Sequence, residues 1–229
     1  MTPSHAYRFA LSMAAALALA AGSGATRGAA QTAAQPASTS QDEAAAIAAA
    51  RADSARYPYT AADIRFMTGM IPHHAQAIVM AGWALSHGAS ASVQTLASRI
   101  INAQQDEIRT MRNWLRDRRQ PVPDSTSTMM SMPMNGADHE MLMPGMLTEA
   151  QMKQLDAARG EQFDQLFLRF MIQHHRGAIS MVQDLFNSYG AAQNPTVFKI
   201  ASDINVDQTT EVARMQKMLA SLLFGTPAQ

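Results

Sequence analysis

One twelve-residue segment occurs twice in this chain. Residues 63–74 (DIRFMTGMIPHH) return as residues 164–175 (DQLFLRFMIQHH), 101 positions later. Each copy ends in adjacent histidines, His73 and His74 in the first and His174 and His175 in the second. Each continues alike, Ala77-Ile78-Val79-Met80 against Ala178-Ile179-Ser180-Met181. A repeat on this scale means two similar structural units packed as one fold. Four of the seven histidines sit in these two pairs, flanked by methionines, so the repeat also gathers imidazole and thioether, donors for soft metal ions.

The partner segments repeat too. Ile100, Gln104, Glu107, Ile108 and Met111 match Ile204, Gln208, Glu211, Val212 and Met215. Both pairs of segments keep helical periodicity, and glycines or prolines punctuate them. The pattern predicts a first hairpin at residues 60–117, opened by a Thr60/Asp63 capping box and turned at Gly88. It predicts a second at 161–224, turned at Gly190 and resumed at Asn194-Pro195. Residues 118–147 form a long connection, and a short helix capped by Thr148 follows. Strand patterns are absent. The expected class is therefore all-α, a four-helix bundle of two repeated antiparallel helical hairpins, spanning residues 59–225.

On the helices, Phe66, Met70, His73, Ala77, Met80 and Ala84 form one seam, and Phe167, Met171, His174, Ala178, Met181 and Leu185 form its copy. His73 and His174 are expected to point inward. His74 and His175 head a flanking stripe with Met67 and are expected to be half-buried. Glu107 and Glu211 on the partner seams need partners if buried, and the inward histidines are the obvious ones. Two ligand groups follow. Met70, His73 and Met80 stand with Glu107 or Met111, and Met171, His174 and Met181 with Glu211 or Met215. His74 and His175 extend each group. Thioether with imidazole and no thiolate favours Cu(I) or Ag(I), while imidazole with carboxylate admits Cu(II) or Zn(II). Seven methionines in residues 129–146, with His139, make the connection a further capture segment. Pro72 in the first copy, against Gln173 in the second, should bend only the first helix.

The remaining features narrow the setting. The start of the chain, with apolar residues 9–21 and small residues after them, predicts a signal peptide within residues 1–30, followed by a polar and Ala-rich segment at 31–58. The destination is periplasmic or secreted. There is no cysteine, hence neither disulfide nor thiolate site. A formal net charge of zero gives no reason to expect nucleic acid. No stretch of the mature chain is long enough to span a membrane. Asp63 and Asp164 read as capping and surface residues, Arg116 to Arg119 as a solvated helix end, and His87 as a helix C-terminal residue.

The doubled Met-Ile-x-His-His segments, with their Gln-x-x-Glu partner helices and the Met146-Leu147-Thr148-Glu149 segment, resemble the bacterial family called domain of unknown function 305. The resemblance covers residues 59–224. It implies a ferritin-like four-helix bundle, often exported, with some members being periplasmic copper-binding proteins linked to copper tolerance and able to bind silver. The chain departs from the family at Gln173, where proline is common. Together these readings give a copper- or silver-binding protein that buffers or sequesters the ion, and no enzyme. The alternative is a metal-free structural or interaction module held by buried His–Glu pairs. A metal-dependent redox enzyme is a third class, though the Glu-x-x-His pattern of di-iron bundles is missing.

Overall fold

A computed structural model describes residues 40–124, 126, 130–134 and 137–225, with backbone alone for 130–134 and 137–141. The signal-peptide reading, Met129 and the side chains of His139 and Met141 lie outside the described residues. Six helices follow in order: α1 (Ser40–Arg56), α2 (Ala61–Gly82), α3 (Ala91–Asp117), α4 (Glu149–Ala157), α5 (Gly160–Asn187) and α6 (Pro195–Phe224). Between α3 and α4 lies an antiparallel pair of strands, β1 (Met130–Met134) and β2 (Ala137–Met141), with Met130 opposite Met141. The expectation of no strands is corrected there. Met130, Met132 and Met134 do alternate with Ser131 and Pro133, a period-2 pattern, but Pro133 within so short a run argues against a strand, and the pairing with β2 overrides it. Among the described residues no helix is long and apolar enough to cross a membrane.

Local chemistry sets the helix ends. Thr60 Oγ1 accepts from the Ala62 and Asp63 backbone N–H groups, while Asp63 Oδ2 accepts from Thr60 N at 2.6 Å. Asn194 caps α6 through Thr196 N and Val197 N, and Pro195 follows at the position where a missing N–H costs nothing. Gly225 ends α6 with φ +68°.

α2 packs against α3, α5 against α6, and the two pairs meet through α2 and α5. The buried apolar residues form two clusters. One joins α2 residues 66–71 and α5 residues 178–185 to the C-terminal half of α3 and the N-terminal half of α6. The other joins α2 residues 77–81, Ala84 just beyond that helix and α5 residues 163–172 to the N-terminal half of α3 and Met215 of α6. Opposite halves meet each time, so α2 is antiparallel to α3 and to α5, and α5 is antiparallel to α6.

Two buried aspartates lock the hairpins to each other. Asp63 Oδ1 accepts from Ala192 N in the α5–α6 turn at 2.7 Å. Asp164 accepts from Ser90 N in the α2–α3 turn through both oxygens at 3.2 Å. Both are buried, which corrects the surface reading. Arg118 is corrected likewise: its side chain is 5 % exposed, pairs with Asp53 of α1 at 2.6 Å and stacks over Trp114. His87 is also buried, and its Nε2 lies within hydrogen-bonding distance of the Asp156 carbonyl and carboxylate at the end of α4.

Candidate metal centre

Apart from the two locking aspartates, buried His and Gln residues of the four long helices fall in the gap between the two apolar clusters. These are His73 and His74 on α2, Gln104 on α3, His174 and His175 on α5, and Gln208 on α6. The four imidazoles are 0 % exposed and the glutamines nearly so. This is one polar layer across the middle of an apolar core.

Burying so many polar groups is costly unless they are paired. Here most are not. His73 Nδ1, both ring nitrogens of His74 and of His174, and His175 Nδ1 lack a hydrogen-bond partner among the described residues. So do Gln104 Oε1 and both amide atoms of Gln208. His73 and His174 face each other with ring centroids 3.9 Å apart. Burial first, and the neighbouring His74 second, push the His73 pKa down to about 3. Burial, followed by His73, holds His174 well below the usual histidine value. Both rings are therefore neutral, the form that offers a lone pair to a metal.

The histidines divide differently from the sequence expectation. Glu107 Oε2 lies 2.7 Å from His74 Nε2, and Glu211 Oε2 lies 2.7 Å from His175 Nε2. The carboxylates thus pair with the second histidine of each motif and not the first. Only the His175 pair is aligned as a hydrogen bond; His74 Nε2 sits out of line at the same distance. His74 and His175 are fully buried, not half-buried, because α2 and α5 each have at least two neighbouring helices and bury two adjacent stripes.

The first histidine meets the connection instead. His73 Nε2 donates to the Pro144 carbonyl at 3.0 Å, which leaves Nδ1 with the lone pair. Around this contact, residues 143–147 form a strap across α2 and α5. Gln76 donates to Leu147 O at 3.0 Å and accepts from Leu147 N at 2.7 Å. Gln173 donates to Gly145 O at 3.2 Å and accepts from Gln151. The residue that stands where the first copy has Pro72 is therefore a strap anchor. Gly177 lets the strap lie on bare helix backbone: a Cβ there would stand 1.8 Å from Pro144 O. Sequence reasoning missed Gln76 and Gly177. Their positions in the first turn after each His pair were the only signal.

The methionines regroup as well. Met67, Met70, Met111 and Met181 share one apolar cluster, and Met80, Met171 and Met215 share the other. Met80 therefore sits with the second copy's Met171, and Met181 with the first copy's Met70. Because α2 and α5 run antiparallel, each apolar cluster mixes the two copies, whereas the expected ligand groups run along single helices.

The side of the layer away from the strap is open. Gln104, Glu107, Gln208 and Glu211 line a groove of about 220 Å³ between α3 and α6, with Asp207, Arg99 and Arg214 beside them. Partial desolvation, then repulsion from Glu107, Asp203 and Glu211, holds the Asp207 carboxyl above its ordinary pKa. Among the described residues no three His, Cys, Asp or Glu side chains stand ready around one point. The orphaned nitrogens, the amides and the thioethers nevertheless fit a soft or borderline metal ion in ligand chemistry.

The family model for the domain of unknown function DUF305 matches residues 63–219. A DUF305 protein from Streptomyces coelicolor, described as a candidate secreted protein, has a structure that superposes with a TM-score of 0.60 at 28% identity, covering 70% of this chain and 93% of its own. CopM in its Cu(II)-bound form superposes at 0.54 with 28% identity, covering 69% of this chain and 96% of that one. CopM has also been solved in Cu(I)-bound and silver-bound forms. A curated relative, uncharacterized protein L153 of Acanthamoeba polyphaga mimivirus, is 39% identical over 57 residues, and the match spans 38% of that protein's length and 25% of this chain.

Proposed function

We propose that this chain, which belongs to the DUF305 family, is a copper-binding protein that buffers or sequesters the ion outside the cytoplasm. One observation carries the reading: four fully buried imidazoles in one layer, most of their ring nitrogens without a hydrogen-bond partner among the described residues. A fold gains nothing from leaving buried nitrogens unpaired, whereas a metal ion would satisfy several at once. The methionine clusters on both sides supply thioethers, which suits Cu(I) and Ag(I). Copper and silver are also what the related CopM was solved with. In this reading the four long helices are a ferritin-like four-helix bundle built from two repeats, and the ion is cargo. Residues 1–30 act as an export signal.

The test is a titration of Cu(I) and Ag(I) into the chain lacking residues 1–30, beside a variant with His73, His74, His174 and His175 changed to Ala. Tight binding is expected in the first and its loss in the second. Equal stoichiometry and affinity in both would sink the reading. The two His–Glu contacts at 2.7 Å favour one second reading, a metal-free module whose buried pairs fix helix register. It predicts a metal-free protein on elemental analysis and a large stability loss in the four-alanine variant without metal.

A further inference from the structure

The geometry points to a separate nitrogen–oxygen site for a borderline divalent cation, Cu(II) or Zn(II), at each His–Glu pair, reached through the groove between α3 and α6. It rests on the metal-binding reading and assigns the two faces of the histidine layer to different ions.

The two faces carry different donors. Toward the strap, His73 is already oriented by the Pro144 carbonyl, and the strap backbone lies directly on α5 at Gly177. On that side the strap backbone covers the histidines, and the cavity at its edge is lined by Met143 and Met181, with thioether that the groove lacks. Toward the groove, the Glu107 and Glu211 side chains are 16 % and 22 % exposed, while the imidazoles they touch are 0 % exposed. Each carboxylate thus bridges solvent and a buried ring. A cation entering the groove meets oxygen first and nitrogen next, and thioether nowhere on the groove's lining.

A carboxylate cluster alone would not make a site. Here a second observation accompanies it: Gln104 and Gln208 are 2 % and 3 % exposed, line the same groove, and hold amide oxygens without partners among the described residues. Each half therefore presents one imidazole, one carboxylate and one amide oxygen, with the glutamine three residues before the glutamate on the same helix. The His–Glu distance suits an ion that replaces the contact. Metal–nitrogen and metal–oxygen bonds of about 2.0–2.2 Å place the two donors roughly 3.3 Å apart in a tetrahedral site. A separation of 2.7 Å has to widen by about 0.6 Å, within reach of a rotamer adjustment of the part-exposed glutamate. Where Nε2 carries the ring proton, that proton moves to Nδ1, which has no partner in either ring. Arg99 and Arg214 at the groove temper its charge without cancelling Glu107, Asp207 and Glu211.

Zn(II) and Ag(I) serve as redox-silent probes of the two classes. In the full mature chain, the E107Q/E211Q double variant should bind Zn(II) at least roughly tenfold more weakly, while its Ag(I) affinity stays as in the unchanged protein. Each single variant should keep one of two Zn(II) ions, which preserves the test if the double variant fails to fold. Unchanged Zn(II) affinity and stoichiometry in the variants, or no Zn(II) binding in the unchanged protein, overturns the assignment while leaving Ag(I) binding intact. Loss of Ag(I) binding in the unchanged protein overturns the metal-binding reading itself.

Discussion

The imidazole rings of His73 and His174 face each other across the α2–α5 contact with centroids 3.9 Å apart and planes inclined by 47°. They come from the two copies of the repeat and mark its internal symmetry. Rings this close share one buried environment, so neither can take a proton without facing the other.

This sets a pH dependence for the metal-free protein. Both folded-state pKa values lie below 6.5, that of His73 near 3. Between those limits the unfolded chain binds protons that the folded one refuses. The stabilisation is full above pH 6.5 and is lost as pH falls toward the folded values, by up to ~1.4 kcal/mol per pH unit for each ring. Urea unfolding of metal-free protein at pH 7, 6, 5 and 4.5 should show this decline. An H73Q/H174Q variant should show a flatter one, and identical slopes would refute a histidine origin for the decline.

Asp63 and Asp164 make equivalent crossings with unequal strength. Asp63 holds Ala192 N at 2.7 Å and also closes the α2 capping box, whereas Asp164 holds only Ser90 N at 3.2 Å. D63A leaves more buried donors unpaired and should cost ~2–4 kcal/mol, and D164A ~1–2 kcal/mol. Denaturant midpoints at pH 7 order the two, and an inverted order would show that the crossing is not what matters.

G177A weighs two opposed effects. Alanine within a helix gains about 1 kcal/mol over glycine. Its Cβ would meet Pro144 O at 1.8 Å and the Gly145 Cα at 2.6 Å, both backbone atoms that cannot swing aside. Gly145 itself sits at φ +78°, which leaves the strap little freedom to move locally. The clash should win by ~1–3 kcal/mol and lift the strap. Limited proteolysis should then cut within residues 118–147 faster than in the unchanged protein. A rise in melting temperature without faster cutting would contradict the packing argument.

Much of the fold was legible in the sequence, for a physical reason. The seam positions from Phe66 to Ala84 and from Phe167 to Leu185 are buried because helical period alone decides which stripe faces a neighbour. Thr60, Thr148 and Asn194 cap helices because capping is local chemistry. What escaped depended on partners distant in sequence. Glu107 meets His74 and not His73, Asp63 reaches Ala192, and Met80 joins Met171, because these follow from the antiparallel docking of two hairpins. Local periodicity carries no information on that docking. Gln76 and Gly177 escaped for the same reason, since their partners lie in a connection without a regular pattern.

The mixed methionine clusters give the proposed soft-metal sites a test that separates the two groupings. Met to Leu conserves volume and typically costs less than about 1.5 kcal/mol, so the fold should survive while a thioether is lost. Met70 and Met181 share one cluster, whereas Met70 and Met80 are divided between two. If each cluster with its adjacent histidine holds one Ag(I), M70L/M181L should weaken one ion strongly and spare the other. M70L/M80L should weaken both moderately. Calorimetric titration of Ag(I) resolves these as one altered isotherm step against two. If M70L/M80L removes a single ion and M70L/M181L disturbs two, the ligand groups run along individual helices and the cross-copy grouping fails.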